Sequence, residues 1–124
     1  MTEPLSRQPL AESFYLQPDI LDAIREADPA WTPDLTGTKM VGWTLTGIDL
    51  HGADLSHADM TFIDLTGANL RDADLSFASL VGSVLTNVDA TGANFEGTNL
   101  HGAIMTGIIG ANVTKARGVY ASTW

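Results

Sequence analysis

Residues 53–77 read ADLSH ADMTF IDLTG ANLRD ADLSF, five units of five residues in one register. Followed outward in both directions, that register holds from residue 33 to residue 107. An apolar side chain stands at every multiple of five from 35 to 105: Leu35, Met40, Leu45, Leu50, Leu55, Met60, Leu65, Leu70, Leu75, Leu80, Leu85, Ala90, Phe95, Leu100 and Met105. Two residues before each comes a small or β-branched residue in most units, as in Ala53, Ile63, Ala73, Val88 and Ala103. One residue before is usually Asp or Asn, one after is mostly Thr or Ser, and two after is Gly in ten of the fifteen units.

A period of five suits neither regular element. On a helix five residues advance about 500°, so successive apolar residues point some 140° apart and no stripe forms. On a strand an odd period sends each unit to the opposite face. What remains is a chain that turns once per unit, so that the central residue and the small residue before it face a common axis and Gly falls at the corner. Coils stacked in this way satisfy their backbone groups by hydrogen bonds from coil to coil, as solenoids do.

The units ADLSH, ADMTF, ANLRD, ADLSF and ANFEG resemble the pentapeptide-repeat family, whose consensus is small, Asp/Asn, Leu/Phe, Ser/Thr/Arg, Gly. The resemblance covers fifteen units and implies an all-β fold, a right-handed quadrilateral β-helix with four pentapeptides to a coil. Just under four coils at about 4.8 Å each make a rod roughly 18 Å long. The predicted organisation is an N-terminal capping segment over 1–32, the β-helix over 33–107 and a C-terminal capping tail over 108–124. Pro33, Trp43 and the stretch 39–41 fit the consensus poorly, which suggests a first coil adapted for capping. After Gly107 the register breaks, and IIGANVTKARGVY reads as units shifted by three, with Val113 in the Leu position and Ala111 before it.

A solenoid must cover the apolar surface at its ends. Ile20, Leu21, Ile24 and Ala27 recur at helical spacing between Pro18 and Pro29, which predicts a short amphipathic helix serving as a lid, with a docking helix for a partner as the alternative reading. Phe14, Tyr15 and Leu16 just before it are read as a strand or a clip along the rod. Val113, Val119, Tyr120 and Trp124 supply apolar mass at the other end, where family members often dimerise end to end; the oligomeric expectation is a monomer or an end-to-end homodimer.

The 124 residues carry 15 acids and 6 Lys or Arg, a formal net charge of −9, no cysteine and 12 glycines. An apolar fraction of 44% is too high for a disordered acidic tail, and no apolar run is long enough to cross a bilayer. Without cysteines there is neither a disulfide framework nor a thiolate metal site, and the N-terminus lacks the pattern of a signal peptide, so the cytoplasm is the expected compartment. Direct nucleic-acid binding is disfavoured by the net negative charge. His51 and His101 fall two and a half coils apart on opposite sides, and His57 sits at a corner one coil from Phe77, so no metal cluster is expected. The periodic Ser and Thr have no nearby base, the glycines spell no phosphate loop, and the carboxylates lack a desolvating pocket. The chain therefore reads as a noncatalytic protein without cofactor.

Sorting outward residues by side yields two candidate surfaces. Asp34, Asp54 and Asp74 stack with Asn94 and Glu96 on one side, and the adjoining side adds Asp49, Asp72 and Asp89 against Arg71. In the opposite direction lie Val41, Val81, Val84 and Ile104, with Phe62 and Phe77 replacing the usual corner Gly. Val41, Phe62, Phe77 and Val81 form a candidate apolar patch, read as either a protein contact site or a surface covered by Phe14 or Tyr15. The leading functional expectation is a protein-interaction or scaffold module. An alternative implied by the resemblance is a DNA mimic that binds DNA gyrase or topoisomerase and confers resistance to inhibitors. A further alternative is an accessory protein of a biosynthetic pathway. The repeats carry a net −7, or one charge per about 2.6 Å of rod, against one per about 1.7 Å on duplex DNA.

Overall fold

The computed structural model describes residues 17–120, which wind into a four-sided parallel β-solenoid preceded by one helix. Each coil takes 20 residues: Asp34 pairs with Asp54 and Asp54 with Asp74, while Lys39, Thr44 and Asp49 open parallel columns of their own. A side is one unit long, so each column consists of single bridges rather than extended strands.

The hydrogen bonding of one unit explains the period. Leu55 donates its N–H up to Asp74 O at 2.7 Å, His57 donates to Ser76 O at 3.0 Å, and Asp54 donates down to Pro33 O at 2.8 Å. Ala58 N–H closes the corner onto Leu55 O at 3.1 Å. The third residue of that turn must take a positive φ, as in a type II turn. Gly67 does so at 70°. Five corners are held in the same region without Gly: His57, Phe62, Asp72, Phe77 and Asn87, at φ between 58° and 60°.

The central residues form the core. Those from Leu35 to Met105 are buried except Leu45, which is only half-buried. Ala53, Ala58, Ile63, Ala68 and Ala73 are buried between them. Leu45 departs from the expected fully buried column because it lies in the first coil, where a neighbour exists on one side only and the cap leaves it partly open.

Helix α1 (Pro18–Ala27) covers part of that end. Pro18 occupies the first turn, where its missing N–H is not needed, Asp19 sits at the positive end of the helix dipole and Arg25 at the negative end. Leu21 is buried in the core cluster of the rod and Ile24 is buried too, whereas Ile20 is half-buried and Ala27 is exposed, so the buried stripe is narrower than its spacing implies. Phe14, Tyr15 and Leu16 lie outside the described residues, as does Trp124.

At the far end the 20-residue register persists through Asp89 pairing with Ile109, two residues beyond the expected break, and then shortens: Asn99 pairs with Arg117, 18 residues on. Val113 packs against the core, Ala116 N–H closes a corner onto Val113 O at 3.0 Å, and Asn112 accepts the Thr114 N–H, so the shifted unit with Val113 at its centre forms as expected. The coil loses its two residues in two steps, one before the Gly97 N–H bond to Lys115 O and one before the Leu100 N–H bond to Arg117 O, and continues through Gly118.

Candidate interaction surface

The outward Asp and Asn are less free than a row of solvated carboxylates. Asp54 Oδ1 accepts the Ser56 N–H at 3.0 Å and the Ser56 hydroxyl at 2.6 Å, and Asp64 takes both groups of Thr66 at 3.0 and 2.6 Å. Asp34, Asp59 and Asp89 hold Thr36, Thr61 and Thr91 in the same way. Asn69, Asn94 and Asn99 accept the N–H two residues on with their amide oxygens. The rung is a local turn lock, the short-range bonding at which Asp and Asn excel. The repeated Asp-x-Ser/Thr spacing was the available sequence signal for it.

These bonds favour the ionised form. The Ser56 hydroxyl lowers the pKa of Asp54 against a partial desolvation penalty, and the Thr66 and Thr91 hydroxyls lower Asp64 and Asp89. For Asp49, burial pushes the carboxyl up, and hydrogen bonds from His51 together with the Arg25 charge more than reverse it.

The two expected acidic sides therefore differ. Asp34, Asp54 and Asp74 do share one column, with Glu96 exposed beyond them. Asp49 and Asp89, which share the next column through Asn69, have cationic company: Arg25 reaches Asp49 Oδ2 at 2.8 Å and Arg71 reaches Asp89 Oδ2 at 3.5 Å. The acidic character is concentrated on the first of them.

The side built on Met60 and Leu80 has another chemistry. Phe62 is 66% exposed, Phe77 57% and Val41 50%, while Val81 is half-buried. His57 and Phe62 are the two corners of one coil and Phe77 lies one coil above His57, their rings stacked with centroids 5.4 Å apart and planes 16° from parallel. Both phenylalanine rings also reach the next coil up the rod. Phe62 covers Gly82 and Phe77 covers Gly97, each ring so close that a Cβ on the glycine would come within 2.5 Å of it. Between the aromatic corners, Thr61 links Asp59 at 2.7 Å and Ser79 at 2.9 Å. The result is a flat face with a hydrogen-bonded polar middle, Val41 and Val81 beside it, and aromatic edges. The packing of rings over glycines one coil away could not be read from the repeat.

No chemistry-bearing cluster accompanies it. Among the described residues no three His, Asp or Glu are grouped to hold a metal ion, and the three histidines are all exposed. No helix of the described residues is long and apolar enough to cross a membrane.

A family model of pentapeptide repeats matches residues 34–72 and 68–107, with 8 copies. Among solved structures, a pentapeptide repeat protein from Nostoc Pcc 7120 is 34% identical over 74% of this chain and 77% of its own, with a TM-score of 0.64. A pentapeptide repeat protein of the Arabidopsis thaliana thylakoid lumen is 35% identical over 67% of this chain and 63% of its own, with a TM-score of 0.50. The pentapeptide repeat protein Rfr23 of the cyanobacterium Cyanothece 51142 is 34% identical over 72% of this chain and 58% of its own, with a TM-score of 0.50. The chain thus spans less than two thirds of the length of the latter two. A search of the curated proteins finds no match.

Proposed function

The chain belongs to the pentapeptide-repeat family of right-handed β-helix solenoids, and on that premise we propose that it is a noncatalytic protein-interaction module whose docking surface is the side framed by Phe62 and the His57–Phe77 stack. The observation that carries this is the placement of two phenylalanines at corners with φ of 59° and 58° and more than half their surface exposed. A bulky residue in the left-handed region costs about 1–2 kcal/mol relative to glycine, and neither ring recovers that cost by full burial. Exposed aromatic residues on a rigid backbone are the usual anchors of protein interfaces. The polar middle supplies donors and acceptors for orientation, and the flat wall suits a partner with a flat or helical face.

The test replaces Phe62 and Phe77 with Gly in a chain carrying a photo-crosslinking residue at position 81. The F62G/F77G variant is expected to melt at or above the native temperature, because the corners relax, yet to lose the crosslinked partner captured in the native host. A variant that still captures the same partner, or that unfolds, assigns the rings a structural role and ends this reading.

The Asp34, Asp54 and Asp74 column supports a second reading, a DNA mimic acting on gyrase. One oxygen of Asp34 and of Asp54 is engaged by its own turn in two bonds, and one of Asp74 accepts the Ser76 N–H, while Asp34 is exposed and Asp54 and Asp74 are half-buried on the outer wall. Unchanged supercoiling at micromolar protein would dispose of it.

A further inference from the structure

The wall framed by the aromatic corners has its backbone engaged within the rod. Met60 and Phe62 donate their N–H groups to Ser79 O and Val81 O, both at 2.8 Å, while Leu80 donates to Asn99 O at 2.8 Å and Gly82 to His101 O at 2.9 Å. The Thr61 N–H is held by Asp59 Oδ1 at 3.2 Å. An extended peptide laid on this wall gains no ladder from these groups, and its own N–H and C=O groups would lose water against the exposed rings without replacement. A helix carries its backbone bonds within itself and presents only side chains. The wall therefore favours a helical occupant.

The two flanks set the chemistry of that helix. Across the Phe62 corner runs the column of Asp64, Val84 and Ile104, with Val84 half-buried and Ile104 49% exposed, so apolar surface continues round that edge from Phe62 and Val81. Across the His57–Phe77 corner runs the column of Asp34, Asp54 and Asp74. The cations of this part of the rod lie towards its ends: Lys39 at the base of the wall, Arg117 at the top of the same column, and Lys115, whose carbonyl takes the Gly97 N–H, above Glu96. At the level of the rings the charge is that of Asp54, Asp59, Asp64 and Asp74. We infer that the docking element of the partner is a basic amphipathic helix, its apolar stripe on Phe62, Phe77 and Val81 and its Lys or Arg side chains turned over the His57–Phe77 corner toward Asp54 and Asp74. This rests on the docking surface proposed above and adds the class of its occupant. A cation reaching over that corner crosses the exposed Phe77 ring, whose face attracts it together with the carboxylates, and the net charge of −9 draws it in.

The probes are labelled peptides of about 18 residues, long enough to hold a helix. Two share a Leu stripe at helical spacing and carry either Lys or Glu on the polar face; a third has the composition of the Lys peptide in alternating order, which leaves no helical stripe. In anisotropy titrations of the full chain the Lys helix is expected to bind at least about tenfold tighter than either of the others. It is expected to shift the amide resonances of Thr61 and Val81, and to weaken in both F62G/F77G and D54N/D74N. Equal affinity of the Lys and Glu helices, including no measurable binding of either, or unchanged affinity in D54N/D74N, overturns the basic class, and equal affinity of the alternating peptide overturns the helix. These outcomes leave the docking surface itself to its own test, because crosslinking from position 81 reads capture of the native partner whatever its charge or fold. Shifts centred away from Thr61 and Val81, or unchanged affinity in F62G/F77G, place the peptide elsewhere and overturn the inference as well; the shifts are read on the native chain and decide it if that variant unfolds.

Discussion

At Asp64 one carboxylate oxygen takes the Thr66 N–H at 3.0 Å and the Thr66 hydroxyl at 2.6 Å, and the same geometry recurs at Asp54 and Asp89. Because these bonds lower the folded-state pKa, their contribution is present above the unfolded carboxylate value of about 3.9 and is lost as the pH falls through the folded values. Stability is therefore expected to drop below about pH 4. Asn keeps the acceptor oxygen, as Asn69 and Asn94 show, and cannot titrate. The D54N/D64N/D89N variant should fold and lose less of its stability on acidification than the native chain, as followed by urea melts between pH 2 and pH 7. Equal acid sensitivity would mean that the turn locks are not the titrating groups. The residue pattern made the Asp positions legible, but not their bonds, because a ladder of carboxylates looks the same in sequence whether it is solvated or locked.

At the scale of the element, α1 is held by more than its two buried side chains. Arg25 donates to Asp49 Oδ2 and to Asp49 O, both at 2.8 Å, and to His51 O at 3.1 Å, with its side chain only 11% exposed. Hydrogen bonds to a charged group contribute about 1.5–3 kcal/mol, so R25A is expected to detach α1 at a cost of that order, seen as fast amide exchange over 18–27 while the coils above stay protected. The helix itself could be read from its spacing and its flanking prolines. Arg25 could not, since its partners are 24 and 26 residues away and belong to the rod. The C-terminal tail makes a comparable point. Gly118 has φ 78°, and a Cβ there would lie 2.6 Å from the His101 backbone nitrogen, a contact that no side-chain motion relieves. G118A should loosen the last coil by more than the roughly 1 kcal/mol expected of the left-handed φ alone, measured as a lower melting temperature. A native melt would show that the tail does not close the rod as described.

For the whole molecule the governing fact is that inside and outside are assigned by position within the unit. Leu75→Lys places an unpaired charge in the column, at a cost of several kcal/mol, whereas Thr106→Lys on the exposed wall should change the melting temperature little; equal melts would refute the register. The sequence by itself determined the period, the inward column, the corners and the short helix, because each follows from local chemistry repeated every five residues: an apolar centre, a turn former and a small residue. Only the tertiary structure decided which acids are paired, which rings lie over which glycines, where the tail shortens its coil and which turn of the helix packs on the rod. Those features depend on contacts between residues about 20 positions apart, and stacking converts that separation into direct contact. Five-residue regularity specifies that there will be a neighbour one coil away. It is the identity of the two side chains that meet there, Phe77 with His57 or Arg71 with Asp89, that makes one side of the rod a surface and another a charge-balanced wall.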